Sequence, residues 1–397
     1  MATLGILGTN KFVTDERPKN WREGILRKYP NGQAALTAFI ALLESEQTSD
    51  PEYNWWEKSL PTRTVFINNG GGYAAGDTTF VVDDSAAGDP GKILRKGYLV
   101  LNIRTGEQMR VVADQTIGTS VVVQRAFGEV VAATINDDDE LRVVGNANEE
   151  RGPLPTAIHY DPTKQFNLCQ IFRTPLSKSR TAMKTKLRTE AANRQAKIEC
   201  LELQSIDMEW AFIWGQRFET IGENGLPLRS TRGIVRSISA LAPGNDNSAS
   251  SGSLNETELL TYLEPCYRFG STEKLWLCGS TALNVLTQIG KSSSTLNVNQ
   301  GETEVVAGIR LTRIRTAFGD GLLRQHPLFN LYADWRKVIL IVDLANIRYR
   351  YVDDLQFLRN RQSPGDDGRV DEFLAECGLE VHHADTHAVI RNVATYG

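Results

Sequence analysis

The stretch Thr181 to Trp214 reads TAMKTKLRTEAANRQAKIECLELQSIDMEWAFIW and holds neither Gly nor Pro. Strong helix formers dominate it. Leu187, Ala191, Ile198, Leu201, Met208 and Ala211 recur as an apolar stripe, and Lys or Arg covers much of the early half. At about 1.5 Å per residue one helix over this span would run roughly 50 Å, too long for the inside of one compact domain. It reads as a spine that carries other parts, with Gly215 ending it. If the stripe is core, Leu201→Asp is expected to unfold the body.

Upstream, Thr62 to about Asn148 has a different texture. Short β-rich runs stand at Thr79–Val82, Tyr98–Ile103, Met109–Val112, Ser120–Arg125 and Glu140–Val144, separated by turn formers such as Gly70-Gly71-Gly72 and Gly88-Asp89-Pro90-Gly91. Strands this short and this closely spaced predict a small barrel or sandwich inserted as a unit. Before it, Ala34–Glu46 places Leu36, Phe39, Ile40 and Leu43 at helical spacing, and the aromatics Tyr53, Trp55 and Trp56 follow. A segment this short must pack on the rest of the chain or on a neighbour.

Downstream the texture is α/β. Pro243–Ser253 (PGNDNSASSGS) reads as an exposed, mobile loop. A helix from Asn255 to about Phe269, a buried strand Lys274–Cys278 and a helix Ser280–Ile289 are expected next. Strands follow at Val306–Arg315, Lys337–Asp343 and Ile347–Val352, and Gly378–His383 with Ala388–Val393 reads as a closing hairpin.

Composition bounds the function classes. The 397 residues are 41% hydrophobic and 23% charged, enough for a sizeable core over two to three domains. A net charge of −4 does not supply a general affinity for nucleic acid, so contact with DNA would need local basic patches. No signal peptide and no membrane span are expected, since the apolar runs are only a few residues long. The five cysteines are scattered, odd in number and never paired as C-x-x-C, which favours reduced, buried thiols over disulfides or a zinc site.

Catalytic and cofactor patterns fail on spacing. Gly290-Lys291-Ser292 ends like a phosphate-binding loop, but the required earlier glycine is Val285. Gly70–Gly76 (GGGYAAG) leads into β-structure, with no helix N-terminus for a pyrophosphate. His382, His383 and His387 fall on a hairpin without a completing Glu or Cys pair, so no metal is expected there. Asp353-Asp354 and Asp366-Asp367 read as solvated loop charge. No catalytic residues, no cofactor and no enzyme activity are expected.

The order of parts resembles the Hong Kong 97-type capsid fold of tailed bacteriophages, in the group whose extended loop carries a small β-domain. FNLCQIF (Phe166–Phe172) leading to Ser177 is similar to that group's run into the helix. Asp207-Met208-Glu209-Trp210-Ala211 with Gly215 resembles the helix end, and Thr231-Arg232-Gly233-Ile234 the step into the axial domain. Leu358 to Val393 resembles the closing sheet of the peripheral domain. The Gly-rich step usual after the loop's last long strand is Arg125-Ala126-Phe127-Gly128 here.

The resemblance implies an α+β chain laid out as an N-terminal arm (1–61), an extended loop with the β-insertion (62–150), a peripheral domain with the spine (151–232), an axial domain (233–350) and closing peripheral strands (351–397). It implies a major capsid protein whose copies form hexamers and pentamers of an icosahedral shell around double-stranded DNA. Decoration, scaffold and portal proteins are its further partners, and assembly takes place in the host bacterial cytoplasm. Tyr53, Trp55 and Trp56 on the arm and Gly71, Arg125 and Phe127 on the loop are the expected interface residues, with intrachain packing the competing role for the aromatic cluster. The starting Met and short arm imply no large fused scaffolding domain. A cellular encapsulin-like compartment on the same fold is the alternative; a decoration or tail protein and an unrecognised hydrolase are weaker ones.

Overall fold

The computed structural model describes residues 44–59, 63–83, 94–114, 120–185, 192–292, 297–306 and 309–397. The chain divides into two compact units, one formed by Trp56–Thr163 and the other by Met1–Trp55 with Lys164–Gly397.

The Trp56–Thr163 unit is a six-stranded antiparallel sheet in the order Thr64–Phe66, Glu140–Asn146, Tyr98–Asn102, Gln108–Val111, Ser120–Gln124, Thr79–Val81. Its two outer strands join each other. Ile67 bridges Val82, Asn68 N–H donates to the Val81 carbonyl at 2.9 Å, and Asp83 N–H donates to the Phe66 carbonyl at 2.9 Å. The sheet is therefore a closed barrel with its outer edges paired. Alternation supplies the interior: Val121 and Val123 point inward from Ser120–Gln124 while their neighbours face out. They meet Phe80, Val100, Met109, Val111, Ile135 and Leu141, all buried.

In the other unit a mixed seven-stranded sheet runs Asp246–Ser248, Ala388–Arg391, Ile339–Val342, Glu273–Cys278, Asp320–Gln325, Ile309–Arg315, Asn297–Val306. Its central strands carry apolar side chains toward both faces because both faces are covered. Leu275, Leu277, Leu340, Val342 and Val389 face one side; Trp276, Cys278, Ile339, Ile341 and Ile390 face the other. The second face packs on the helices Glu256–Tyr267 and Ser280–Ser292 through Leu259, Leu263, Val285 and Leu286. The first packs on the spine's last turns, on the helix Ile234–Leu241, and on a four-stranded sheet ordered Ser45–Gln47, Ile347–Leu358, Gly368–Val381, Gln170–Ser179.

The spine differs from its expected form in extent and in face. A short helix, Arg180–Lys184, stops at Thr185, whose φ of −75° and ψ of 129° are extended. Thr185 turns both its N–H and its hydroxyl onto the Thr181 carbonyl, the local back-bonding that weakens a helix at threonine. Residues 186–191, with Leu187 and Ala191 of the expected stripe, lie outside the described residues. The long helix is Ala192–Trp214, 23 residues or about 35 Å. Its inward face is Cys200, Gln204, Met208 and Phe212, four residues apart, whereas Leu201 is 38% exposed. The polar members are held on purpose: Gln204 accepts from the Thr174 hydroxyl, and the Cys200 thiol donates to the Thr174 carbonyl at 3.3 Å. At the helix exit Gly233 N–H donates to the Gly215 carbonyl, and a Cβ on Gly233 would stand 2.7 Å from the Ile213 carbonyl oxygen, so only glycine fits this crossing.

Three further segments depart from the sequence reading. Gly378–His383 and Ala388–Val393 do not form a hairpin: their strands lie in different sheets, linked by the short turn Ala384–Thr386. The seven-stranded sheet thus draws Ala388–Arg391 from beyond position 350, where the axial segment was expected to end. Pro243–Ser253 is not a loose loop, because Asp246–Ser248 adds in parallel to Ala388–Arg391 and Asn245 is buried, donating to the His387 carbonyl at 2.8 Å. Ser45–Gln47 is a strand beside Tyr349–Tyr351 instead of the end of a helix; Ala34–Leu43 lies outside the described residues.

Candidate assembly surfaces

The expected interface residues divide by burial. Tyr53 is inside the body, its hydroxyl donating to the Leu379 carbonyl at 2.9 Å, and its ring stacks on the half-buried Trp55, which in turn meets His382. Trp56, by contrast, is 66% exposed. Arg125 is buried in the barrel unit against Glu107, and Phe127 is half-buried beneath the Arg110 guanidinium. Gly71 sits in an exposed turn held by Asn69 and Asp137. Tyr53 and Arg125 are therefore organisers of their own units; Trp56 and Gly71 are exposed, and Trp55 and Phe127 are half-buried.

Sequence reading passed over a larger surface. Phe218–Ile221 and Pro227–Ser230 form a two-stranded hairpin carrying Phe218 (64% exposed), Ile221 (75%), Leu226 (61%) and Leu228 (61%). A hairpin has no interior to hide four such side chains, and clusters of this kind mark protein–protein contact. The signal in the sequence is FETIGENGLPLRS (Phe218–Ser230), apolar residues on either side of a Gly-Glu-Asn-Gly turn. A second feature, Asn167 within FNLCQIF, ties three segments: its amide NH2 reaches the Leu379 carbonyl at 2.8 Å and the Arg232 carbonyl at 3.1 Å, and its oxygen accepts from Arg232 N–H at 2.8 Å.

The buried titratable groups are locked into structure. Lys274 Nζ donates to the Thr386 carbonyl at 2.8 Å and lies 3.4 Å from Asp343 Oδ2, both side chains fully buried. Burial would raise the Asp343 carboxyl, but the Ser271 N–H and hydroxyl, with Lys274, hold it below its ordinary range. Asp343 N–H donates to His387 Nδ1 at 3.0 Å, so the imidazole is neutral with its proton on Nε2. Glu209 on the spine similarly meets His326 Nε2 at 2.7 Å beneath Phe329. Among the described residues, no group of three His, Cys, Asp or Glu side chains is placed to hold a metal ion. All five cysteines are buried free thiols.

His387 gives the body a defined acid sensitivity. Burial, outweighing the attraction of Asp343 and reinforced by Lys274, pushes its pKa down to about 4 from an ordinary 6.5. The unfolded chain therefore binds one more proton than the folded one between those values. The stability it contributes is complete above pH 6.5 and falls by about 1.4 kcal/mol per pH unit down to pH 4. Denaturant melts across this window should show a shallower pH slope for His387→Gln than for the native chain; identical slopes would contradict the assignment.

A spine helix clamped between two sheets, a separate closed barrel, and apolar side chains spread over surfaces define a structural subunit of α+β architecture built for association. The chain belongs to the SU10 major capsid protein family, whose model matches residues 9–394. It is a phage major capsid protein of the Hong Kong 97-type fold, a component of the virion capsid. It is similar to the major capsid protein of Pseudomonas phage PaMx41, at 26% identity over 357 residues, covering 88% of this chain and 82% of that one. Among solved structures it is similar to Mycobacterium phage Bobi (9% identity, 96% of each chain, TM-score 0.46). It is also similar to the SrpI encapsulin of Synechococcus elongatus PCC 7942 (14% identity, 60% of this chain and 78% of that one, TM-score 0.42).

Proposed function

We propose that the chain assembles in the host bacterial cytoplasm as hexamers and pentamers of an icosahedral shell that encloses double-stranded DNA, and that it has no enzymatic activity of its own. Scaffold, portal and decoration proteins are its further partners in this reading. Segments 233–350 and 62–150 serve as the axial domain and the extended loop, and Trp56, Gly71 and Phe127 lie in contacts between copies. The observation that carries the reading, beside family membership, is the hairpin Phe218–Ser230. Its exposed apolar side chains have no partner large enough within a two-stranded ribbon, and a neighbouring copy supplies one.

Phe218→Asp with Leu228→Asp tests it. Both sites are solvent-facing in the single chain, so melting should move by no more than about 0.5 kcal/mol. Sedimentation velocity should show the shells replaced by free subunits or capsomers. Shells of normal yield and size from the double variant would remove the hairpin from the assembly contacts.

A further inference from the structure

The barrel unit holds a leucine out in solvent on an anchored backbone. Gly152-Pro153-Leu154-Pro155-Thr156 belongs to no strand, and Leu154 is 96% exposed. Pro153 and Pro155 fix their own φ, and Pro155 also keeps Leu154 extended. The Thr156 hydroxyl donates to Asp114 Oδ2 at 2.6 Å, and the Thr156 carbonyl accepts from Arg95 Nη1 at 2.7 Å. A groove of about 190 Å³ is lined by this segment, by Arg110 of the strand Gln108–Val111, and by Lys96 and Glu149. That is room for one or two side chains and too little for a cofactor. Arg110 is largely buried and poorly used. A guanidinium has five N–H donors, yet Arg110 Nε is buried without an acceptor, and its single ion contact is 3.5 Å from a Glu149 side chain that is 69% exposed. Asp114, the other carboxylate of the groove, is committed: the Thr156 hydroxyl and the Lys96 N–H hold it below its ordinary range.

We infer that this groove receives the loop Gly128–Val131 of a second copy, with Glu129 on Arg110 and Lys96 and with Val131 against Leu154. The assignment rests on the self-assembly proposed above. Charge complementarity selects the occupant. Glu129 is exposed, and its side chain has no ion pair or hydrogen bond among the described residues. Val130 and Val131 follow it at 42% and 78% exposure, so one short loop offers a carboxylate with an apolar side chain two positions on. The groove offers the converse, two cations beside an exposed leucine. Phe127, proposed above to lie in a contact between copies, immediately precedes the loop. A carboxylate gives Arg110 the charge-assisted acceptor that Glu149 supplies only at long range. The anchored segment loses little conformational freedom when it is covered, which favours the contact. Every copy carries both halves, so the contact repeats from one neighbour to the next.

The test is crosslinking between two full-length variants, L154C and V131C, mixed before assembly and treated with a short bifunctional maleimide. Both positions are exposed, so neither change disturbs the fold, and the native thiols are buried and do not compete. A covalent dimer should form in the mixed shells and not between the same chains kept unassembled. Adding E129K to the V131C chain should lower the dimer yield about tenfold, the scale of one lost charge-assisted contact, whereas E129D should keep it. Shells that give no mixed dimer overturn the assignment, and so does an E129K yield equal to the native one. Dimers formed as well by L154C chains alone would also overturn it, since the groove would then face its own counterpart. Failure of the native chain to form shells at all overturns the self-assembly reading itself, while normal shells without the mixed dimer overturn only this contact.

Discussion

Arg125→Ala should unfold the barrel, lowering its stability by about 3–5 kcal/mol, the cost of stripping the partner from a buried ion pair. Arg125 Nε and Nη2 donate to the two Glu107 oxygens at 2.8 and 2.7 Å, and its remaining N–H groups reach the carbonyls of Ala74, Asp77 and Ala133. Glu107 in turn accepts from the amides of Ala126 and Ala133 at 3.0 and 3.2 Å. Burial alone would raise its carboxyl; Arg125 and the two amides hold it below the ordinary range. The pair thus joins the turn before Gln108–Val111 to the loop after Ser120–Gln124 and to the loop before Thr79–Val81. Removing the guanidinium leaves the buried Glu107 carboxylate without its cation and takes a donor from three carbonyls at once. Glu107→Leu combined with Arg125→Met should recover a large part of the loss, because no charge is then buried alone. Circular dichroism and denaturant melts of the two variants read the result; an Arg125→Ala chain as stable as the native one would show the pair to be dispensable.

The second large effect lies on the spine. Phe212→Ala should cost about 3–5 kcal/mol, since the ring is fully buried where the helix meets both sheets, edge-on to Phe172 and to Tyr349. Leu201→Asp, expected from the sequence to unfold the body, should now change stability by only about 0.5 kcal/mol, because the side chain lies on the outward face. The contrast is the sharpest check of helix orientation. A collapse of Leu201→Asp with a tolerant Phe212→Ala would reverse the face assigned here.

The reversal has a physical cause. Leu201 and Leu203 are apolar but outward, while Gln204 and Glu209 are polar but inward, where the Gln204 oxygen accepts from Thr174 and Glu209 meets His326. Periodicity ranks residues by hydrophobicity and cannot anticipate a buried polar group whose partner lies 30 positions away, as Thr174 does from Gln204, or 117, as His326 does from Glu209. The same limit explains the closing strands. Gly378–His383 and Ala388–Val393 are adjacent and strand-like, as a hairpin requires, and nothing local reveals that each pairs in a different sheet. The barrel strands were legible because alternation and turn residues are local properties. The barrel's closure was not, since it depends on Ile67 meeting Val82 across the ends of the sheet.

Of the candidate contact residues, the aromatic trio was legible as a cluster and not as a surface: Tyr53 finds the Leu379 carbonyl and turns inward, while Trp56 stays out. The step Arg125-Ala126-Phe127-Gly128 departs from the usual Gly-rich pattern, and its reason is the buried bridge to Glu107 with Ala126 in the left-handed region at φ 49°. The exposed hairpin was written in the sequence as plainly as any barrel strand. It drew no notice because a β-ribbon that hides nothing has meaning only once a second copy is considered.

The central claim, a subunit that builds a closed shell from its own copies, is tested most directly by electron microscopy of the purified full-length chain under assembly conditions. Closed icosahedral particles resolved into hexamers and pentamers are expected, with the Phe218–Ser230 hairpin covered by a neighbouring copy. Dispersed monomers, or open rings and tubes that never close under any assembly condition, would contradict it.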